Sequence, residues 1–173
     1  AAGHELESNL RAYIETSPEA LRFFSDDVGI PFYVVPGFPD YFQGMAPGSL
    51  GEGRNLQVRP FEAKSLGEWH EYLRAAPAVT HRVTFEEVAG WGGRAKPQNW
   101  DRQLIWERME HDIRTFGAGL IGHLMSAVLR RNIPFHLDTP VLSLITESGR
   151  VQGVIARSED NDIRIMARRG VIL

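Results

Sequence analysis

Gly117-Ala118-Gly119-Leu120-Ile121-Gly122 spells G-x-G-x-x-G, and Asp138 closes the next extended stretch. In a dinucleotide site such glycines make a tight turn that aims a helix N-terminus at a pyrophosphate, and the acid takes the ribose hydroxyls. That chemistry needs a buried strand running into the first glycine. Arg108, Glu110, His111, Asp112 and Arg114 make the preceding segment too polar for a central parallel strand. Pro134 also interrupts the stretch that carries Asp138. Two readings stay open: nicotinamide dinucleotide binding at Gly117–Gly122, or small residues that let a helix start lie close against neighbouring backbone.

Other chemistry is sparse. His4, His70, His81, His111, His123 and His136 show no H-x-x-x-H or H-E-x-x-H pairing, so no metal site is expected. His111 beside Asp112 is either a base or part of a charged surface. No serine stands in a G-x-S-x-G elbow, and no phosphate-loop lysine pattern occurs. The absence of cysteine excludes disulfides, thiolate nucleophiles and cysteine-ligated metal clusters, and is compatible with a cytoplasmic location.

The elements that must position these residues follow from periodicity. Leu6, Leu10, Tyr13 and Ile14 mark one helix, and Ser17-Pro18 reads as the cap and first position of a second, with Leu21, Phe24 and Val28 on its stripe and Gly29 at its end. Ile30–Val35 reads as a strand. Glycines and prolines break up 36–66, leaving a possible short strand at Asn55–Val58, while Phe38, Tyr41, Phe42, Met45 and Leu50 argue that the segment is ordered. Short helices are expected around Trp69–Leu73, Phe85–Val88 and Leu104–Ile113. Leu120, Ile121, Leu124, Ala127 and Val128 give a wide apolar stripe ending near Asn132. Ile133–Leu137 reads as a strand, Val141–Thr146 and Val151–Ala156 as a hairpin, and Ile163–Ala167 and Gly170–Leu173 as two more strands.

With 173 residues, 43% of them hydrophobic, the chain has the make-up of a globular protein. A net charge of −3 offers no broad footprint for nucleic acid, and no apolar run approaches the ~20 residues of a membrane span. Val171-Ile172-Leu173 reads as a buried strand whose next neighbour is missing, so the chain is expected to be part of something larger.

The order of motifs from Gly117 on resembles the fumarate reductase and succinate dehydrogenase flavoprotein family, especially its 3-ketosteroid dehydrogenase-like branch. The matching pieces are Thr139-Pro140-Val141, Gly149-Arg150-Val151-Gln152-Gly153-Val154 and Ala167-Arg168-Arg169-Gly170-Val171-Ile172-Leu173. In the first half, Asn9–Glu19, Val28–Phe32, Pro39-Asp40-Tyr41-Phe42 and Gly51-Glu52-Gly53-Arg54 resemble that branch's substrate-capping region.

The resemblance implies an α+β chain: a helical and irregular substrate-capping domain over 1–116, then over 117–173 a partial strand-helix-strand and β-meander of an FAD-binding domain. It implies a parent oxidoreductase that moves hydride between FAD and a carbon–carbon bond beside a carbonyl or carboxylate, on a 3-ketosteroid-like or fumarate-like small molecule. The family's N-terminal phosphate-binding turn is absent, so the fragment alone is expected to be inactive and to hold no FAD. Val141 carries over as the backbone that meets the adenine edge. Dehydrogenation beside a carbonyl needs a base and a carbonyl-polarising donor. Tyr41 and Arg54 are the candidates, against a packing tyrosine and a loop-pinning arginine. The flavoprotein reading expects an open strand edge at Val171–Leu173, available for self-association. A cofactor-free interaction module expects a closed sheet there.

Overall fold

Three glycines and an apolar stripe give Phe116–Arg130 its shape, a 15-residue helix that buries Gly119, Gly122 and Ala127. A computed structural model describes residues 2–74 and 82–172 of the chain. In chain order these form α1 (Ala2–Arg22), β1 (Phe32–Val34), β2 (Leu56–Val58), β3 (Phe61–Glu62), α2 (Phe85–Gly90), α3 (Arg102–Glu110), β4 (Ile113–Arg114), α4 (Phe116–Arg130), β5 (Val141–Glu147), β6 (Arg150–Ser158) and β7 (Asn161–Met166). The class is α+β, with helices beside small antiparallel sheets. Compactness parts the chain into Ala1–Asn132 and Ile133–Leu173.

In the first unit, α1 is one helix where two are expected. Pro18 lies inside it, and Arg22 runs on into a wider π-turn over Phe23–Asp27. Proline removes the N–H that would reach the Ile14 carbonyl. The Ser17 hydroxyl donates to that carbonyl instead, at 3.4 Å. Ser17 therefore mends the helix interior rather than capping a new start. The apolar stripe is present, but Leu6, Leu10, Tyr13 and Ile14 remain exposed. At the far end, Arg131 and Arg130 of the α4 terminus donate to the carbonyls of Asp27 and Val28. They satisfy acceptors that a helix end leaves open.

Helix α4 packs on β2, β3, β4 and the 3₁₀ segment Ala63–Tyr72. Phe61, Ala63, Leu66 and Leu73 form the core there, with Trp69, Met125 and Leu129 against it. β3 and β4 are two-residue strands paired antiparallel, Phe61 with Arg114 and Glu62 with Ile113. The strand expected after α4 does not form: Ile133–Leu137 has no regular structure. Its residue types suit a strand, but Pro134 lacks an N–H, and a strand exists only where a partner completes the ladder. The expected strand-helix-strand is thus a short antiparallel strand and a helix.

The second unit contains the β-meander, order β5-β6-β7, antiparallel throughout. Ser148 and Gly149 both take positive φ, 50° and 74°, as a tight hairpin turn requires. Gly170–Ile172 is irregular and Ile172 is fully exposed, so the last expected strand is corrected over these residues. Leu173 lies outside the described residues. Self-association through a strand edge at Val171–Leu173 has no strand to run through in the part described.

Candidate functional site

Two of the three glycines at the start of α4 lie close against other parts of the chain. A Cβ at Gly119 would stand 3.0 Å from the Arg114 carbonyl oxygen, and one at Gly122 would stand 2.3 Å from the Phe61 ring. The preceding β4 is antiparallel to β3. Gly119 and Gly122 let helix and strand close on one another, which accounts for two of the three glycines by packing, while a Cβ at Gly117 would meet nothing within 4 Å. Gly122→Val is therefore expected to lower stability by about 2–3 kcal/mol through overpacking against Phe61, read as a fall in the urea midpoint at unchanged slope.

Tyr41 and Arg54 share one loop. Asp40 N–H donates to the Leu50 carbonyl at 2.9 Å, and Leu50 N–H donates to the Asp40 carboxylate at 2.8 Å. Gly37 N–H donates to Glu52 at 2.8 Å, and Asn55 donates to the Phe38 and Pro39 carbonyls. Arg54 ion-pairs with Asp40 at 3.4 Å and donates to the Gly48 carbonyl. These bonds pinch the loop at its neck. Its tip carries Tyr41, 96% exposed, with Phe42 and Met45 also exposed.

Val141 begins β5 in the second unit. Arg157 N–H donates to the Pro140 carbonyl at 3.0 Å, and Val141 faces Ala156 in the register. Antiparallel pairs alternate between bonded and non-bonded, so the Val141 N–H and C=O point away from β6, toward the open edge. Leu142 is an extra residue between Val141 and Ser143, a bulge that re-aims this strand start. An outward donor and acceptor on one residue fit the edge of an adenine ring.

Sequence reasoning missed a set of polar side chains held among the first unit's strands and helices. The Tyr33 hydroxyl donates to Gln57 Oε1 at 2.8 Å, and Phe85 N–H donates to the same oxygen. Gln57 is 6% exposed, and its Nε2 has no partner among the described residues. Burial raises the Tyr33 phenol above its ordinary value, against the Thr84 hydrogen bond; Glu86 adds to the rise and Arg59, 4.1 Å over the ring, opposes it. Tyr33 thus keeps its proton and acts as a donor.

Nearby, Arg82 and Arg114 both pair with Asp112, and Arg108 forks onto Glu87. Burial alone would raise both carboxyls, yet Arg114 and Arg82 hold Asp112, and Arg108 with the Thr84 backbone holds Glu87, below their usual values. Glu87 also completes a capping box with Thr84 at the start of α2. Only the fold turns the side chains of Arg82, Arg108 and Arg114 onto Glu87 and Asp112. His111 forms no part of the set. His123 sets its ring edge-on to Phe61 at 4.8 Å, with a ring nitrogen 2.9 Å from the Arg59 carbonyl oxygen.

The chain is 29% identical over 178 aligned positions to a 3-oxosteroid 1-dehydrogenase of Mycobacterium tuberculosis, covering 94% of this chain and 31% of that protein. It is 26% identical to a 4-oxocyclohexanecarboxylate 2-dehydrogenase of Sinomonas cyclohexanicum, covering 99% and 29%. Among solved structures, the 3-ketosteroid Δ1-dehydrogenase of Sterolibacterium denitrificans in complex with 1,4-androstadiene-3,17-dione superposes with a TM-score of 0.77. That match has 27% identity and covers 93% of this chain and 32% of that one. The chain therefore spans about a third of the length of these relatives. No helix among the described residues is long and apolar enough to cross a membrane. The profile of the FAD binding domain family matches residues 2–173, and the chain belongs to that family.

Proposed function

We propose that the whole protein is an FAD-dependent oxidoreductase that moves hydride between the flavin and a carbon–carbon bond beside a carbonyl or carboxylate. The observation that carries this reading is the family match along 2–173 together with the likeness to a ketosteroid dehydrogenase fold. The substrate is a small ketone or unsaturated acid, 3-ketosteroid-like or fumarate-like. Residues 1–116 serve as the substrate cap and 117–173 as part of the FAD-binding domain.

FAD supplies the hydride-accepting ring when bound. Within this chain, the Val141 backbone receives the adenine edge. Tyr41, at the loop tip, exchanges the proton that accompanies hydride transfer, and Arg54 positions it by tying Asp40, its neighbour in the chain, to Gly48. The chain by itself is expected to hold no FAD and to be inactive, since gripping the cofactor needs the family's own phosphate-binding turn, which the Gly117–Gly122 helix start does not replace.

The test uses the full-length protein, purified and mixed anaerobically with a 3-ketosteroid or reduced and mixed with fumarate. Bleaching of the flavin band by the ketosteroid, with formation of the unsaturated ketone, supports the reading, as does fumarate-dependent reoxidation. A colourless protein that gains no flavin band with added FAD overturns it. Tyr41→Phe is expected to lower kcat by roughly 10²–10⁴-fold, the usual size of a general acid–base contribution, with the flavin spectrum unchanged.

A further inference from the structure

On the face of α3 lies a groove of about 430 Å³ lined by Arg94, Trp100, Arg102, Ile105, Trp106 and Met109. Its volume is in the range of small-molecule sites. Trp106 and Met109 are 67% and 52% exposed, unusual for such side chains lying side by side on one helix. Trp100 is fixed, with its Nε1–H donating to the Gly93 carbonyl at 3.2 Å and its ring 6.2 Å from that of Trp91.

The charges around this apolar floor are one-sided. No lining residue is acidic. Arg94 stands 5.8 Å from the Phe85 ring, and neither Arg94 nor Arg102 has an acidic partner among the described residues. The nearby acids are engaged elsewhere: Asp101 accepts from Leu104 N–H at 2.9 Å, and Glu107 accepts from Gln103 at 2.9 Å. Arg108, on the same helix, turns to Glu87. Arg102 also sits in the first turn of α3, where a cation opposes the helix dipole and an added anion would be favoured.

We propose that this groove binds a small amphiphilic carboxylate, its apolar body on Trp100, Trp106 and Met109 and its carboxylate between Arg94 and Arg102. Guanidinium groups suit a carboxylate because their planar fork matches its two oxygens. None of these lining residues is used in the oxidoreductase reading, and the proposal does not depend on it.

Calorimetric titration of the full-length protein tests it, using octanoate with uncharged octanamide as control. Saturable octanoate binding is expected, with octanamide and the double variant R94Q/R102Q each weaker by about tenfold or more, the worth of a charged hydrogen bond. Added salt should weaken octanoate alone. Should the double variant misfold by circular dichroism, Met109→Glu takes its place, since it sets a negative charge on the groove floor and leaves both arginines. Equal affinity for octanoate and octanamide overturns the proposal. So does unchanged binding in a folded variant, or no saturation at concentrations on the order of millimolar.

Discussion

Gly153→Val is expected to unpair β6 from β7 and cost about 3 kcal/mol or more, the upper range for a collision with no room to relax. A Cβ at this position would stand 2.3 Å from the Ile165 carbonyl oxygen and 3.0 Å from the Met166 Cα. Both are backbone atoms of the paired strand, so neither can swing aside. Gly153 faces Met166 in the register, next to a bulge at Gln152, whose carbonyl accepts from Ala167 N–H at 2.8 Å. Amide exchange measures the outcome, with protection expected to vanish across 153–166 while α4 keeps its own. Gly149→Asn is the control. Gly149 needs a left-handed backbone, φ 74°, and meets nothing within 4 Å, so asparagine should cost about 1 kcal/mol or less.

The second large effect is expected at Asp112→Ala. Asp112 is the shared anion of Arg82 and Arg114, and all three side chains are at least three-quarters buried. Removing it leaves two largely buried cations without their shared anion, a loss of about 3–5 kcal/mol. Denaturant unfolding measures the loss, and pH separates charge from packing. The folded carboxyls of Asp112 and Glu87 are held below their ordinary values of 3.8 and 4.5, so their contribution is complete above those values. It disappears as pH falls through the depressed folded values, because the unfolded chain then binds protons more readily. The native urea midpoint should therefore drop steeply in acid. Asp112→Asn should flatten that drop.

Local signals carried the parts of the fold that the sequence made legible. The stripe of Leu120, Leu124, Ala127 and Val128 foretold α4, and Ser148-Gly149 between β-branched runs foretold the hairpin, because each is decided within a few residues. Failures came where distant partners decide. Ser17-Pro18 has the types of a helix start, yet α1 runs through it because Ser17 covers the acceptor that proline abandons. Ile133–Leu137 has strand residues without a ladder. β3 and β4 are too short to show a period at all. Of the candidate site, the sequence offered Tyr41, Arg54 and Val141 as residues, but not the bonds that pinch the loop or the outward turn of the Val141 peptide groups. Gly119 and Gly122 were visible as glycines, but the Arg114 carbonyl just before the helix and Phe61, distant in sequence, explain why they must be small.

The loop between Gly37 and Asn55 is closed at its base by the bonds of Gly37 to Glu52, Leu50 to Asp40, Arg54 to Asp40 and Asn55 to Phe38, and still turns Tyr41, Phe42 and Met45 outward. Chain freedom that a slack lid would surrender on contact has been lost before any visitor arrives. Whatever meets this tip should be met by a stiff finger: encounter limited by diffusion, a small entropic penalty, and little tolerance for a guest of another shape.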